Sequence, residues 1–155
     1  LTLHGAFNLA VRIEVATTIE STPDAVWARI EDVGTHVDWM ADAEAIRFTS
    51  NQTSGVGTTF DCDTKVGPLK LTDAMTITEW EPGRSMGVRH EGLVTGEGRF
   101  TLTAEGEGRS RFAWAEQLRF PWWMGGPVGG ALGAPVLKAI WRRNLRRLKA
   151  LVEGS

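Results

Sequence analysis

The chain has 155 residues, which fits one domain, since domains usually contain about 100 to 200 residues. A chain of this size buries about 70% of its unfolded surface and needs no covalent cross-links. Its 42% hydrophobic and 23% charged residues exclude a disordered or fibrous protein, and its net charge of −2 argues against a basic nucleic-acid binder. Cys62 is the single cysteine, so an internal disulfide is excluded, and residues 1–10 do not resemble a signal peptide. We therefore expect one domain over residues 1–155, located in the cytoplasm.

The first half of the chain predicts one strand, two short helices and then a series of strands. Apolar and polar residues alternate over residues 9–19, as in a half-buried strand. Thr22 can cap a helix that has Pro23 in its first turn, which predicts a helix over 23–31, and a second short helix is expected over 36–40. Further alternation between Gly- and Pro-containing turns predicts six antiparallel strands, over 44–52, 57–66, 69–80, 85–93, 97–104 and 111–120.

The C-terminal segment predicts a long amphipathic helix that begins near Pro127. Apolar residues recur there at helical spacing, and basic residues fill most other positions. This basic stripe has two open interpretations: a solvated face, or transient contact with anionic lipid headgroups in which Trp122 and Trp123 act as anchors. The order of elements predicts an α+β fold, in which helices cover one face of a seven-stranded curved antiparallel sheet. Such a sheet wrapped around one long helix encloses space.

The turns predict which residues lie opposite each other on the inner face of the sheet. A four-residue turn after Trp80 gives three cross-strand pairs: Trp80 with Ser85, Met75 with His90, and Ile77 with Val88. The next two turns are expected over 94–96 and 105–111. Together they place His90 and Glu116 on either side of Phe100.

Three polar side chains are expected on this otherwise apolar inner face. His90 and Glu116 would lie about 10 Å apart between backbones, and Asp73 about 7 to 8 Å from His90. Because an unpartnered buried acid or imidazole costs several kcal/mol, the three predict either mutual pairing or a wet cavity. The candidate ligand-binding residues are therefore His90, Glu116, Asp73, Phe100, Trp114, Met75, Val88, Leu102, Phe60 and Cys62.

Each of these residues also has a structural interpretation. His90 could be a core histidine with a partner, Glu116 could reach the rim of the sheet, and Asp73 could bond a backbone N–H at a bulge. Cys62 is expected to be a small apolar filler rather than a nucleophile, because no basic neighbour is predicted to lower its pKa. The histidines and Cys62 lack the spacing of a metal site, so we assign no metal and no cofactor.

Five short sequence segments form a recognisable series, at 19–27, 30–32 with His36 and Trp39, 54–58, 78–84 and 98–102. In their order and spacing they resemble the START-like (SRPBCC) helix-grip superfamily, in its polyketide cyclase/dehydrase and lipid-transport branch. The resemblance spans nearly the whole chain and implies a helix-grip fold, with a deep apolar pocket between the sheet and the C-terminal helix. Members of the superfamily include lipid and hormone carriers, aromatic polyketide cyclases, hydrolases and toxin-like subunits.

Three functional hypotheses follow. The first is a protein that binds or carries a hydrophobic small molecule, such as a lipid, quinone or polyketide, oriented by His90, Glu116 and Asp73. The second is a cyclase- or dehydratase-type enzyme, in which neutral His90 removes a proton and Glu116 or Asp73 supplies one. The third is a structural or toxin–antitoxin subunit with a collapsed core. The chain has no tyrosine, and no arginine is expected on the inner face, which favours binding over cyclisation.

Overall fold

The computed structural model describes residues 10–154 apart from the Pro127 side chain, so Leu9, the expected start of the first strand, lies outside the described residues. Seven strands in this part of the chain form one antiparallel sheet. They are β1 (Val11–Ile19), β2 (Ala43–Phe48), β3 (Thr59–Val66), β4 (Leu69–Glu81), β5 (Ser85–Glu91), β6 (Thr95–Ala104) and β7 (Ser110–Arg119). Their order across the sheet is β1-β7-β6-β5-β4-β3-β2, so the first two strands form opposite edges.

Two α-helices and two short 3₁₀ helices complete the fold of the described residues, and the α+β helix-grip prediction is confirmed. The α-helices are α1 (Pro23–Ile30) and α2 (Gly126–Glu153); the 3₁₀ helices span Val33–Asp38 and Trp122–Met124. The Thr22 hydroxyl accepts a hydrogen bond from Ala25 N at 3.2 Å, which caps α1 as the sequence predicts. The helix expected over 36–40 is instead the 3₁₀ helix that begins at Val33. None of the described helices is long and apolar enough to span a membrane.

Helix α2 is fixed over one side of the sheet. It packs mainly on β1, with smaller contacts to β7 and α1. Lys149 Nζ donates to Thr18 O at 2.7 Å, and Asn144 Oδ1 accepts from Ala41 N at 3.0 Å. Asn144 also donates through Nδ2 to Asp42 Oδ1 at 2.7 Å and is fully buried. The Lys149 bond ties the helix to β1, and the Asn144 bonds tie it to the segment before β2. The inner face of the central strands between them is only partly covered.

The register of β4 and β5 is confirmed in part. Met75 pairs with His90 and Ile77 with Val88, as predicted. The prediction that Trp80 pairs with Ser85 is wrong, because Trp80 lies opposite Met86. A register shift between Ile77 and Glu79 explains this result, since a bulge offsets the rest of the strand by one residue.

The register predicted between β5 and β6 is wrong by four residues, and the register predicted between β6 and β7 is wrong by two. The turns span 92–94 and 105–109 rather than 94–96 and 105–111, so Phe100 lies opposite Met86 and Trp114. His90 lies opposite Gly96, which has a positive φ of 143° as expected but belongs to β6 and not to the turn. A side chain there would collide with the carbonyl oxygen of Gln117, so only glycine fits this position. The same residues still face inward, because both register errors are by an even number of residues and side chains alternate between the two faces.

Candidate functional site

A cavity of about 390 Å³ lies between the inner face of the sheet and helix α2. Its wall is mostly apolar and comes from β2 to β7, the 3₁₀ helix Val33–Asp38 and α2 as far as Trp141. The cavity exists because α2 packs on β1 and leaves the middle strands without a close helical partner. A site of this size and lining suits a small apolar molecule.

Nine of the ten predicted ligand-binding residues line this cavity. The exception is Leu102, whose assignment to the cavity is wrong. Leu102 pairs with Phe112 at the end of the sheet covered by α1, where the core is closely packed. The nine residues in the wall are His90, Glu116, Asp73, Phe100, Trp114, Met75, Val88, Phe60 and Cys62.

His90 and Glu116 form a buried pair at one side of the cavity. His90 Nε2 lies 2.7 Å from Glu116 Oε2, and both side chains are largely buried. The contact has the length of an ion pair but not the angles of a well-aligned hydrogen bond. The indole Nε1–H of Trp114 donates to Glu116 Oε1 at 2.9 Å, so the carboxylate is held from a second direction.

Glycine in the strand between them allows His90 and Glu116 to meet. They belong to β5 and β7, and the residues of β6 opposite them are Gly96 and Gly98. A Cβ on Gly98 would lie 2.7 Å from Glu116 Oε1, a distance too short for a stable contact. The predicted placement on either side of Phe100 is therefore corrected: the two side chains bridge across a strand that carries no side chain there.

Asp73 completes the polar group and has an unused acceptor. Its Oδ1 is buried and has no hydrogen-bond partner within the described residues. Burial raises the pKa of Asp73; the charge on His90 opposes this rise and that on Glu116 adds to it. We call His90, Glu116 and Asp73 the polar pole of the cavity. In this setting Asp73 can accept a hydrogen bond from a ligand or, when protonated, donate one.

The charge state of His90 differs from the one expected from the sequence. Burial alone would lower the pKa of His90, but the Glu116 carboxylate, with a smaller effect from Asp73, outweighs burial and raises it. His90 is therefore favoured as an imidazolium paired with the Glu116 carboxylate, and not as the neutral base of the second hypothesis. An imidazolium can donate a proton but cannot accept one.

An aromatic cluster lies at the cavity, and the rings of Phe100, Trp114 and Trp141 line its wall. Trp114 stacks on Trp141 with ring centroids 4.6 Å apart, and Trp39 contacts Phe100 at 5.8 Å. His36, which was not predicted as a site residue, also lines the cavity, and its Nε2 lies 2.7 Å from Ile30 O. Burial lowers the pKa of His36 to about 4, so at neutral pH it is an uncharged donor to that carbonyl.

Cys62 has the properties of an apolar wall residue. Burial raises the pKa of its thiol to about 11, and its sulfur lies 3.8 Å from Thr64 Oγ1. A thiol with this pKa is almost entirely protonated at neutral pH, so it is a poor nucleophile. Among residues 10–154, no group of three or more His, Cys, Asp or Glu side chains is arranged to hold a metal ion.

The first half of α2 and the segment before it form one wall of the cavity. Met124, Gly129 and Gly133 line the cavity from this side. Nearby apolar side chains face outward: Trp122 is 86% exposed and Leu132 is 76% exposed. We call these exposed side chains the apolar rim.

These features define a helix-grip protein with an internal cavity for a hydrophobic molecule. A family model described as polyketide cyclase / dehydrase and lipid transport matches residues 10–153. The chain therefore belongs to this family, as its sequence resemblance predicts. A comparison with curated proteins finds no significant match.

Solved structures share the fold at low sequence identity. The Zhui aromatase/cyclase from Streptomyces sp. R1128 matches with a TM-score of 0.68 and 17% identity, over 94% of this chain and 92% of that one. A conserved protein from Geobacillus kaustophilus matches with a TM-score of 0.75 and 12% identity, over 94% and 97% of the two chains. Ara h 8.0201 gives a TM-score of 0.69 and 11% identity, over 94% and 99%.

Proposed function

We propose that the protein binds or carries a hydrophobic small molecule, of lipid, quinone or polyketide type, in the cavity between the sheet and α2. The observation that carries this proposal is the cavity itself, about 390 Å³ of space lined mostly by apolar side chains. Protein interiors are normally packed without voids of this size, since empty space forfeits dispersion contacts. A hydrophobic ligand would restore these contacts and release water from the apolar wall.

In this proposal the polar pole orients the ligand and the apolar wall holds its body. His90, Glu116 and Asp73 form the polar cluster that we assign to ligand contact. The family description supports the proposal, since polyketide chemistry and lipid transport both involve apolar molecules with a few polar groups. The proposed contacts of the ligand body are Phe60, Cys62, Met75, Val88, Phe100 and Trp114.

A neutral solvatochromic dye, Nile red, tests the proposal. We expect saturable fluorescence enhancement with one dye per chain, because the dye becomes bright in an apolar environment. Val88→Phe places extra volume inside the cavity and should weaken dye binding by about tenfold or more. Ala74→Phe makes the same kind of change on the exposed face of neighbouring β4 and should leave binding unchanged. Equal binding by both variants, or none by the wild type, would refute a cavity ligand.

The polar pole also supports a second candidate function, a cyclase- or dehydratase-type enzyme. The observation that favours it is the buried, unpartnered Asp73 Oδ1 beside the His90–Glu116 pair. In an aldol-type ring closure, a carboxylate of the pole would take the proton from the carbon that forms the new bond. The His90 imidazolium would donate a proton to the carbonyl oxygen.

A synthetic poly-β-ketone thioester separates the two functions. His90→Ala should abolish its turnover if the protein is an enzyme, but should weaken Nile red binding only modestly if it is a carrier. If neither turnover nor binding changes in this variant, the assignment of His90 to the site is wrong.

For its location and partners, we propose a cytoplasmic protein that touches anionic membranes transiently through α2. The exposed apolar rim at Trp122 and Leu132 is followed along the helix by exposed Arg142 and Arg146, a combination suited to an anionic lipid surface. Phosphatidylglycerol vesicles should sediment the wild type but not Arg142→Ser/Arg146→Ser, and phosphatidylcholine vesicles should sediment neither. Equal sedimentation with both lipids would contradict the proposal.

A further inference from the structure

The ionisable groups around the cavity are mostly acidic. Three carboxyl groups line it, those of Asp42, Asp73 and Glu116. The cationic or potentially cationic residues of the wall, in the part of the chain that the structure describes, are His36, His90 and Arg99. Whether the cavity can neutralise an anionic ligand therefore depends on which of these positive groups remain free.

Two of the three basic residues cannot neutralise an anionic ligand. The Arg99 guanidinium is turned to the exposed face of the sheet, where its Nε lies 2.6 Å from Glu79 Oε2. His36 is neutral at ordinary pH, because burial lowers its pKa to about 4, and its Nε2 already contacts Ile30 O. Neither residue therefore offers a free positive charge to the cavity.

The third basic residue, His90, already has its counter-charge. Its Nε2 lies 2.7 Å from Glu116 Oε2, and Trp114 holds the other oxygen of the same carboxylate. Asp73 Oδ1, in contrast, is buried without a donor. The pole thus carries at least as many negative as positive charges at neutral pH, and Asp73 Oδ1 is an acceptor in it that no cation faces within 4 Å in the described residues.

We propose that the cavity selects ligands whose polar end is an uncharged hydroxyl or a cationic amine, and discriminates against carboxylates and phosphates. This inference rests on the proposed binding function and specifies its ligand class. An anionic end would be buried beside carboxyl groups with no free cation, or would have to take up a proton before it enters. A hydroxyl or ammonium group would instead donate to Asp73. Discrimination of this kind comes from a repulsive element as well as an attractive one.

Three ligands with the same apolar chain test the charge selection directly: decanol, decylamine and decanoate. Their affinities can be measured at neutral pH and low salt, by calorimetry and by quenching of the protein's tryptophan fluorescence. Decanol and decylamine should each bind at least about tenfold more tightly than decanoate. Decanoate binding within about twofold of decanol, or tighter, would overturn the inference while leaving the binding function intact. If none of the three ligands binds and Nile red also fails, the binding function itself is wrong.

A variant of Glu116 tests the cause of the discrimination. Glu116→Gln keeps an oxygen for the Trp114 indole but removes the carboxylate beside His90, so decanoate can take its place. The affinity ratio of decanol to decanoate should fall at least about threefold. Glu97→Gln is the control, since it removes a carboxylate from the exposed outer face of β6 and should leave the ratio unchanged. An unchanged ratio in Glu116→Gln would show that this carboxylate does not cause the discrimination against decanoate. If the variant does not fold, the ranking of the three ligands by the wild type still tests the inference.

Discussion

Two regions of the same sheet face differ in how their side chains are covered. In the region we call the packed half, side chains from the sheet, α1 and α2 meet without solvent exposure, and its members are Ile19, Ile30, Ile77, Phe112 and Leu148. In the region we call the open half, side chains of the central strands are only partly buried and face the cavity, and its members are Leu71, Asp73, Met75, Val88 and His90. Both halves follow the same alternation of inward and outward residues.

The difference lies in the helices and not in the strands. Helix α1 and the C-terminal half of α2 cover the packed half, where Leu145 and Leu148 are fully buried. The first half of α2 lines the cavity partly through Gly129 and Gly133, which have no side chain to fill the space over the open half. The cavity therefore lies where the covering helix has small residues, while the alternation of inward and outward residues in the strands is the same in both halves.

The largest expected contrast is between two leucines, one in each half. Leu148→Ala should lower the free energy of unfolding by about 3 to 4 kcal/mol, because it creates a void in a packed core. Leu71→Ala should cost about 1 kcal/mol or less, because its side chain already borders empty space. Urea denaturation of both variants measures the difference. Equal losses would contradict the division into packed and open halves.

Acid should lower the free energy of unfolding, because it protonates His36, which is buried beside the cavity. Its folded-state pKa lies below the ordinary value, so the stability that depends on neutral His36 is present at pH 7 and is lost as pH falls from 6.5 toward 4. Between pH 7 and pH 5 this loss should reach about 2 kcal/mol. His36→Gln, which keeps a donor for Ile30 O but does not titrate, serves as the comparison. A parallel pH dependence of the two proteins would show that His36 does not carry this effect.

A methyl group added to Gly98 should disturb the polar pole. Gly98→Ala puts a Cβ 2.7 Å from Glu116 Oε1 and should displace that carboxylate from His90. We expect a loss of about 1 to 2 kcal/mol in unfolding free energy, with weaker decanol binding. Urea denaturation measures the loss of stability, and calorimetric titration with decanol measures the change in binding. Unchanged stability and affinity would contradict the role given to this glycine.

The smallest expected effect is a gain in the free energy of unfolding rather than a loss. Gly133 lies inside α2, and a Cβ at this position would have no neighbouring atom within 4 Å, so alanine fits there without a clash. Gly133→Ala should raise the free energy of unfolding by about 0.5 to 1 kcal/mol, because alanine loses less backbone entropy in a helix. A thermal melt measures this gain. Destabilisation would indicate that the first half of α2 must bend closer to the sheet than the structure shows.

Most of the fold could be predicted from the sequence, because alternation and helical spacing are local signals. The order of elements along the chain, the long C-terminal helix and the pairing of Met75 with His90 follow from such signals. The bulge before Glu79 and the exact turns around β6 do not, since several registers satisfy the same inward parity. Family resemblance, and not periodicity, supplied the helix-grip assignment.

The candidate site was predicted in composition but not in geometry. Parity placed His90, Glu116 and Asp73 on one face, but the contact between the first two depends on register and on a glycine opposite Glu116. Gly96 and Gly98 in a strand were the available signal, since glycine at alternate inward positions leaves room for side chains from both neighbours. Asn144 was missed because its role depends on where α2 meets the segment before β2.

The central claim is that the open half holds a ligand and the packed half has no room for one. Methyl NMR during a titration with decanol tests both parts in one experiment, on the methyl groups of Met75 and Val88 against those of Ile19 and Ile30. We expect the signals of Met75 and Val88 to shift and saturate at one decanol per chain, while those of Ile19 and Ile30 stay in place. No shift at any of these groups, or equal shifts in both halves, would contradict the account.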